Sequence, residues 1–274
     1  MENETELRKP KGAGGYVLIA VSAIFFFVFL ILPLVTVFQN AFSDGMLPYF
    51  KAVMDVYTRK ATLLTLEVTA IALCVNTVFG LFAVWAVTKF QFQGKRILTT
   101  LIDLPVSVSP VIAGLMYILL YGRTSPLYPW LKSHSIHIVF AVPAIVIATI
   151  FVTFPYVFRE IVPVLETEGT DEEEAAAIMG ANWWTIFSRV TFPHMKWAFF
   201  YGIVLCTARA MGEFGAVSIL SGHLRGLTNT LPLHVEILFN EFNSQAAFAV
   251  SSILVIIAIG ILIVRSLLEA RAKG

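Results

Sequence analysis

Long apolar runs separated by short polar joints dominate this chain. Six of them, at about residues 16–38, 66–87, 97–121, 138–158, 197–220 and 246–264, reach the roughly 20 apolar residues that a helix needs to cross a bilayer. Inside lipid the backbone has to satisfy its own hydrogen bonds, so each run is expected to be helical. A membrane β-barrel would show segments of about ten residues alternating apolar and polar, whereas these runs are continuous. The third run is interrupted by Pro105 and Pro110, each of which removes a backbone hydrogen bond. The first exceeds the apolar stretch of about 7–15 residues found in a secretion signal and continues through Pro33 to Phe38; it is expected to be a retained span. The pattern predicts an all-α integral membrane protein with six transmembrane helices.

Composition strengthens that picture. Apolar residues make up 58% and charged residues 14% of the chain, against about 45–50% and about 25% in soluble domains. The net charge of +1 gives no basis for binding nucleic acid. Cys74 and Cys206 both lie in apolar runs, where they read as small core residues rather than a disulfide or metal pair. The five histidines, His134, His137, His194, His223 and His234, lack metal-ligand spacing. No metal site is expected.

Basic residues set the expected orientation, because cytoplasmic loops are enriched in Lys and Arg. With the N-terminus inside, twelve basic residues, Arg8, Lys9, Lys11, Lys89 and Arg159 among them, fall on the inner side and six on the outer side, while Arg209 lies within a span. Both termini are therefore expected to be cytoplasmic. The organisation follows: an inner tail at 1–15, a six-helix domain at 16–265 that includes an inner loop at 159–196, and an inner tail at 266–274.

That inner loop carries the most informative local pattern. Asp171, Glu172, Glu173 and Glu174 crowd the first turn of a short helix expected at about 170–180, where carboxylates favour the positive end of the helix dipole. Thr170 is placed to cap it, Ala175, Ala176 and Ala177 favour helix with little bulk, and Gly180 is placed to end it. A second helix at about 183–190 is expected to stop at Pro193. Small side chains allow the first helix to sink into a partner's groove. An acidic, solvated helix without a partner would share the acid run but not the whole spacing.

Glu174-Ala175-Ala176, Gly180 after a gap of three, and Val190-Thr191-Phe192-Pro193 resemble the coupling loop of ATP-binding-cassette importer permeases. The run from Ala208 to His223, with Gly212-Glu213-Phe214-Gly215 inside it, resembles the sulfate/thiosulfate permeases and, more loosely, the molybdate permeases. Thr228 to Leu238 is similar to the W-type sulfate permease subunit, and Asp103 to Leu115 points the same way. The resemblance implies a type I importer permease, non-catalytic, in a bacterial-type inner membrane. Glu174, Ala175, Ala176, Gly180 and Pro193 would then form the element that couples to a separate ATPase. The implied partners are two copies of that ATPase, a second homologous permease of the T type and an extracytoplasmic sulfate-binding protein. The chain has no Gly-x-x-x-x-Gly-Lys-[Ser/Thr] phosphate loop, so ATP and Mg belong to the ATPase and no cofactor is expected on this chain.

Two features inside the spans have open readings. Arg209 and Glu213 lie four apart in the fifth run, so they share a helix face and pair; an ionised group there costs at least about 2.5–3.5 kcal/mol. They form either part of the pathway or subunit interface, or an ion pair that only locks helices. Ala208, Gly212 and Ala216 repeat at the same interval and offer a smooth strip for packing. Ser107 and Ser109, between the two prolines of the third run, either bind a passing oxyanion or flank a simple kink. Glu67 and Asn76 are expected to make interhelical hydrogen bonds. A molybdate or tungstate permease and an ATP-independent secondary transporter are the alternative functions; the latter usually shows interrupted helices in both halves, and only one interrupted run is evident.

Overall fold

The structure, a computed structural model, describes residues 13–273. Most of the expected N-terminal tail, with Arg8, Lys9 and Lys11, lies outside the described residues. Every regular element among the described residues is helical.

The first span is α1 (Ala13–Phe26), a π-helical turn (Phe27–Ile31) and α2 (Leu32–Ala41). Pro33 falls in the first turn of α2, where its missing N–H is tolerated. After α3 (Met46–Met54), Asp55 caps α4 (Val56–Lys89), accepting from the Tyr57 and Thr58 amides at 2.8 and 3.4 Å. Thirty-four residues at about 1.5 Å each make α4 roughly 50 Å long, well beyond a hydrocarbon core of about 30 Å. It therefore projects into water. The third span is broken as expected. α5 (Lys95–Ser107) and α6 (Pro110–Tyr121) meet at 109°, with Pro110 opening α6 rather than interrupting it. A short α7 (Tyr128–Ser133) precedes α8 (Val142–Glu168).

The loop predicted at 159–196 contains α9 (Asp171–Ile178) and α10 (Trp183–Ile186), then a π-helical turn (Phe187–Thr191) that runs into α11 (Phe192–Met211). Pro193 does not stop a helix here, contrary to expectation. It occupies the first turn of α11, and the wider turn before it relieves the clash of its ring with the carbonyl four residues back. α12 (Gly215–Leu220), α13 (Leu231–Asn240) and α14 (Ser244–Lys273) complete the chain.

Four helices are long and apolar enough to cross a membrane, and the bent α5–α6 pair makes a fifth. The expected continuous helix at 197–220 is not among them. It breaks after Met211, and Gly212, Glu213 and Phe214 separate α11 from α12. The apolar run concealed that break because Glu213 turns back to accept from the Ala216 amide at 2.8 Å, which stabilises a new helix start.

α8 is the hub, packed between α4 and α11 with α5 and α12 beside it. Val84, Val87, Val157, Phe158, Ile161 and Met195 form the largest buried cluster. Gly80 and Gly202 both face Val157, where a Cβ at Gly202 would lie 3.1 Å from the Val157 Cα. Close approach of this kind supplies the van der Waals contact that replaces the hydrophobic effect between helices in lipid. Asn76 is fully buried and donates to Thr153 Oγ1 at 2.7 Å, which bears out its interhelical role.

The tightest approach joins the two broken segments. A Cβ at Gly114 of α6 would sit 2.9 Å from the Ala216 carbonyl oxygen and 3.0 Å from Ile219 Cβ of α12. Gly114→Ala is therefore expected to lower stability by about 1–3 kcal/mol, the usual range for overpacking. Thermal inactivation of the purified protein in detergent measures it; an unchanged midpoint would show that α6 and α12 separate freely.

Candidate functional site

α9 stands at one end of α4, and α13 at the other. Its own backbone packs against α10 and the π turn that follow it, so side chains make its longer connections. Glu173 makes two. Its Oε2 lies 2.7 Å from Lys89 Nζ at the end of α4, and its Oε1 accepts from Thr191 Oγ1 at 2.6 Å. Glu172 lies 2.9 Å from His194 Nε2 on α11, whose Nδ1 is 3.5 Å from Glu168. Lys89 also sits over the Trp85 ring, 5.9 Å from its centroid, and Trp85 meets Phe187 edge to face.

The expected site residues divide on this frame. Ala176 is buried against the fold, whereas Ala175 and Glu174 face outward. Thr170 does not cap the helix with its side chain; its hydroxyl goes instead to Glu174 Oε1 at 2.8 Å, one turn on. Gly180 ends the helix as expected. With φ +86° it is left-handed, and the Ala181 amide reaches the Ala176 carbonyl while the Gly180 amide reaches that of Ala177. That pair of bonds is a Schellman motif. The turn lifts Ile178 and Met179 clear of the fold, 87% and 81% exposed, with Trp183 and Trp184 exposed beside them. An acidic helix thus carries an apolar tip. Residue-type spacing did not single out Ile178 and Met179, and nothing local marked Lys89, Thr191 or His194 as partners of the acids.

The charged pair of the fifth run is formed, though not on one continuous helix. Arg209 Nη1 lies 2.6 Å from Glu213 Oε2 as a close ion contact. Glu213 is all but buried, its side chain 1% exposed, while Arg209 is 29% exposed. The carboxylate faces the fold and caps α12; the guanidinium faces out of it. Gly215 approaches α6 so closely that a Cβ there would lie 3.0 Å from Pro110 Cβ. The two helix breaks therefore meet, and Ser107 and Ser109, both exposed, lie at the α5–α6 break. Ser109 leaves the start of α6 without a side-chain cap. Ala216 packs under Gly114, but Gly212 sits in the break, so the expected Ala208-Gly212-Ala216 strip is not a single helix face. Glu67 is exposed on α4, not engaged between helices as expected.

At the far end of α4, His234 of α13 is buried. Its Nε2 is 3.2 Å from Thr58 Oγ1, whose proton goes to the Ala52 carbonyl at 2.8 Å; Nε2 is thereby assigned as the protonated nitrogen. Burial, and then Arg225, push the imidazole pKa down, against the opposing pull of Asp55 and Glu241. A depressed folded-state pKa means that the unfolded chain binds the proton more readily. The stability from neutral His234 is thus fully present above the ordinary value of about 6.5 and is lost as pH falls below it toward the folded pKa. His234→Gln, which keeps a donor toward Thr58, is expected to flatten the fall in thermal midpoint as pH drops below about 6.5; an unaltered pH profile would assign that fall to other groups.

Residues 76–274 match the family described as binding-protein-dependent transport system inner membrane component. The chain is 42% identical to the sulfate transport system permease protein CysW of Escherichia coli (strain K12), over all of this chain and 96% of that protein. It is 30% identical to the sulfate transport system permease protein CysT of the same organism, over 92% of this chain and 91% of the other. A crystal structure of a bacterial alginate ABC transporter, in complex with an alginate-bound periplasmic protein, contains a chain that superposes with a TM-score of 0.78 at 16% identity, covering 94% of both chains. At that identity the likeness concerns the fold.

Proposed function

Because the chain belongs to the family of binding-protein-dependent transport system inner membrane components, we propose that it is the membrane-spanning, non-catalytic permease subunit of an ATP-driven sulfate importer. The observation that carries the coupling part of this reading is the apolar tip at Ile178 and Met179, exposed on an otherwise acidic helix. Exposed apolar groups flanked by charge are what a protein partner covers. The partner is the ATPase, two copies of which bind ATP and Mg and close on nucleotide. α9 seats in a cleft of one copy, with Glu174, Ala175 and Gly180 forming its outer surface and turn, Ala176 holding it against the fold, and Pro193 opening the helix that leads back to the membrane. On this reading α9, both termini and the 1–15 and 266–274 tails lie on the cytoplasmic side, as the excess of basic residues on that side supports, and α13 lies on the side of the substrate-binding protein.

Sulfate follows from the 42% identity to a sulfate permease subunit along the full chain; the lower identity to the T-type protein supports a heteromeric pair in which that type is the other permease. Within the path, the exposed face of Arg209 and the Ser107 and Ser109 hydroxyls offer hydrogen-bond donors to a dianion. Glu213 neutralises Arg209 in the absence of substrate, which keeps the site from holding the anion tightly. Weak contact of this kind suits passage. Thiosulfate, with the same charge and tetrahedral shape, fits the same donors.

The test is purification from native membranes, followed by reconstitution and ATP-driven uptake of labelled sulfate. An ATPase and a second permease are expected to co-purify, and excess molybdate to compete poorly. Effective competition by molybdate, in a complex with a single permease type, would overturn the sulfate reading. In the same assay, Glu174→Ala with Gly180→Val is expected to remove uptake while the protein still inserts, because a β-branched residue at φ +86° costs about 1–2 kcal/mol or more and misdirects the tip. Normal uptake would refute the role of that turn.

A further inference from the structure

Resting on the coupling reading above, we propose that Glu173, rather than its exposed neighbour Glu174, is the positioning residue that passes displacement of α9 into the spans, through Lys89 to α4 and through Thr191 to the start of α11.

Three observations carry it. The first is shielding. Lys89 and Glu173 are 9% and 17% exposed, whereas pairs such as Arg159–Asp103 and Arg265–Glu269 are several times more open. Exposed pairs are screened and loose; a shielded, charge-assisted contact at 2.7 Å holds its geometry. The second is connectivity. α9 packs its backbone chiefly against α10 and the π turn that follow it, so Glu173 supplies its firm link to α4, and without it a pull on the tip would swing α9 on its flanking turns. Gly169 and Gly180, both at positive φ, flank it and would permit that swing. The third is the lever itself. α4 is one uninterrupted helix without an internal proline, and its other end is fixed to α13 by Thr58 to His234 and by the Leu231 amide to Thr65 Oγ1 at 2.7 Å. By contrast, α8 contains Pro155 and Pro163, and α11 begins on a π turn and ends in a break. A displacement applied at Lys89 reaches the far side through a rigid rod. Glu172 with His194 is a second, more exposed tether on the α11 side.

The experiment uses the complete reconstituted transporter and reads sulfate imported per ATP hydrolysed. Glu173→Gln and Lys89→Met are each expected to lower that ratio at least fivefold, with hydrolysis continuing and the ATPase still bound. The exchange Glu173→Lys with Lys89→Glu, which rebuilds the pair in reverse, is expected to recover at least half of the ratio, and Lys89→Arg to retain it. An unchanged ratio in the single variants overturns the proposal, as does a parallel loss of uptake and hydrolysis that leaves the ratio constant, since that is the behaviour of a residue needed only for assembly. Should neither single variant assemble, Thr191→Val, which keeps the ion pair and removes one hydroxyl, carries the test: a lowered ratio supports the proposal and an unchanged one overturns it. Failure of this inference is distinguishable from failure of the coupling reading, because the latter appears as retained ATPase binding when Ile178 and Met179 are made acidic.

Discussion

Ile178→Asp combined with Met179→Asp is expected to release the ATPase from the membrane complex and to reduce ATP-driven sulfate uptake at least a hundredfold, with membrane insertion intact. Both side chains stand almost wholly free of the fold, so the substitutions remove no internal packing; they change only what a partner meets. If the partner's cleft covers the tip, the variant forces two carboxylates out of water without counter-charges, and an unpaired buried charge costs several kcal/mol. Interface energy concentrates in a few such anchors, so the loss should not be made up elsewhere. Four acids already line the first turn of α9, which adds repulsion against any acidic rim. Co-purification of the ATPase, with uptake in parallel, measures the effect. Retention of a stoichiometric ATPase would mean that α9 does not seat through its tip.

The second large effect concerns the buried pair. Arg209→Met leaves Glu213 at 1% side-chain exposure with the Ala216 amide as its remaining partner. Breaking a buried pair by removing one side typically costs about 3–5 kcal/mol, because the remaining charge is left buried without its counter-charge. The single variant is therefore expected to assemble poorly. Arg209→Met with Glu213→Gln removes both charges, keeps an acceptor for the Ala216 amide and is expected to restore assembly. The two readings of the pair part here. If Arg209 faces the path, the double variant assembles but imports sulfate at least tenfold more slowly. If the pair only locks the helices, uptake returns along with assembly. The outward aim of the guanidinium, against the inward aim of the carboxylate, supports the first outcome.

Much of this was legible without coordinates. Run lengths located four spans and the bent α5–α6 pair, with their ends shifted because long helices such as α4 and α8 run past the apolar stretch; the fifth expected span, at 197–220, is two helices instead of one. The break at Pro110 announced itself, since proline acts locally on the backbone. The break at Gly212–Phe214 did not. Gly212 alone is compatible with a helix, and what ends α11 there is the capping by Glu213, together with the close seat of Gly215 on Pro110, a residue from a distant part of the chain. Pro193 misled in the opposite sense, because a π turn made room for it.

Local chemistry determined that this chain is helical, that it spans a membrane, and that an acidic, alanine-rich helix ended by Gly180 projects from it, because apolar run length, helix capping and the need for positive φ all act within a few residues. Only the tertiary structure decided which acid does what. Asp171, Glu172, Glu173 and Glu174 are alike in sequence, and it is the approach of Lys89, Thr191 and His194 from other parts of the chain that turns Glu173 inward, ties Glu172 to His194 at the surface and leaves Glu174, Ile178 and Met179 outside. Ion pairs and close contacts between remote residues depend on how helices pack, and no periodicity along a single chain encodes them.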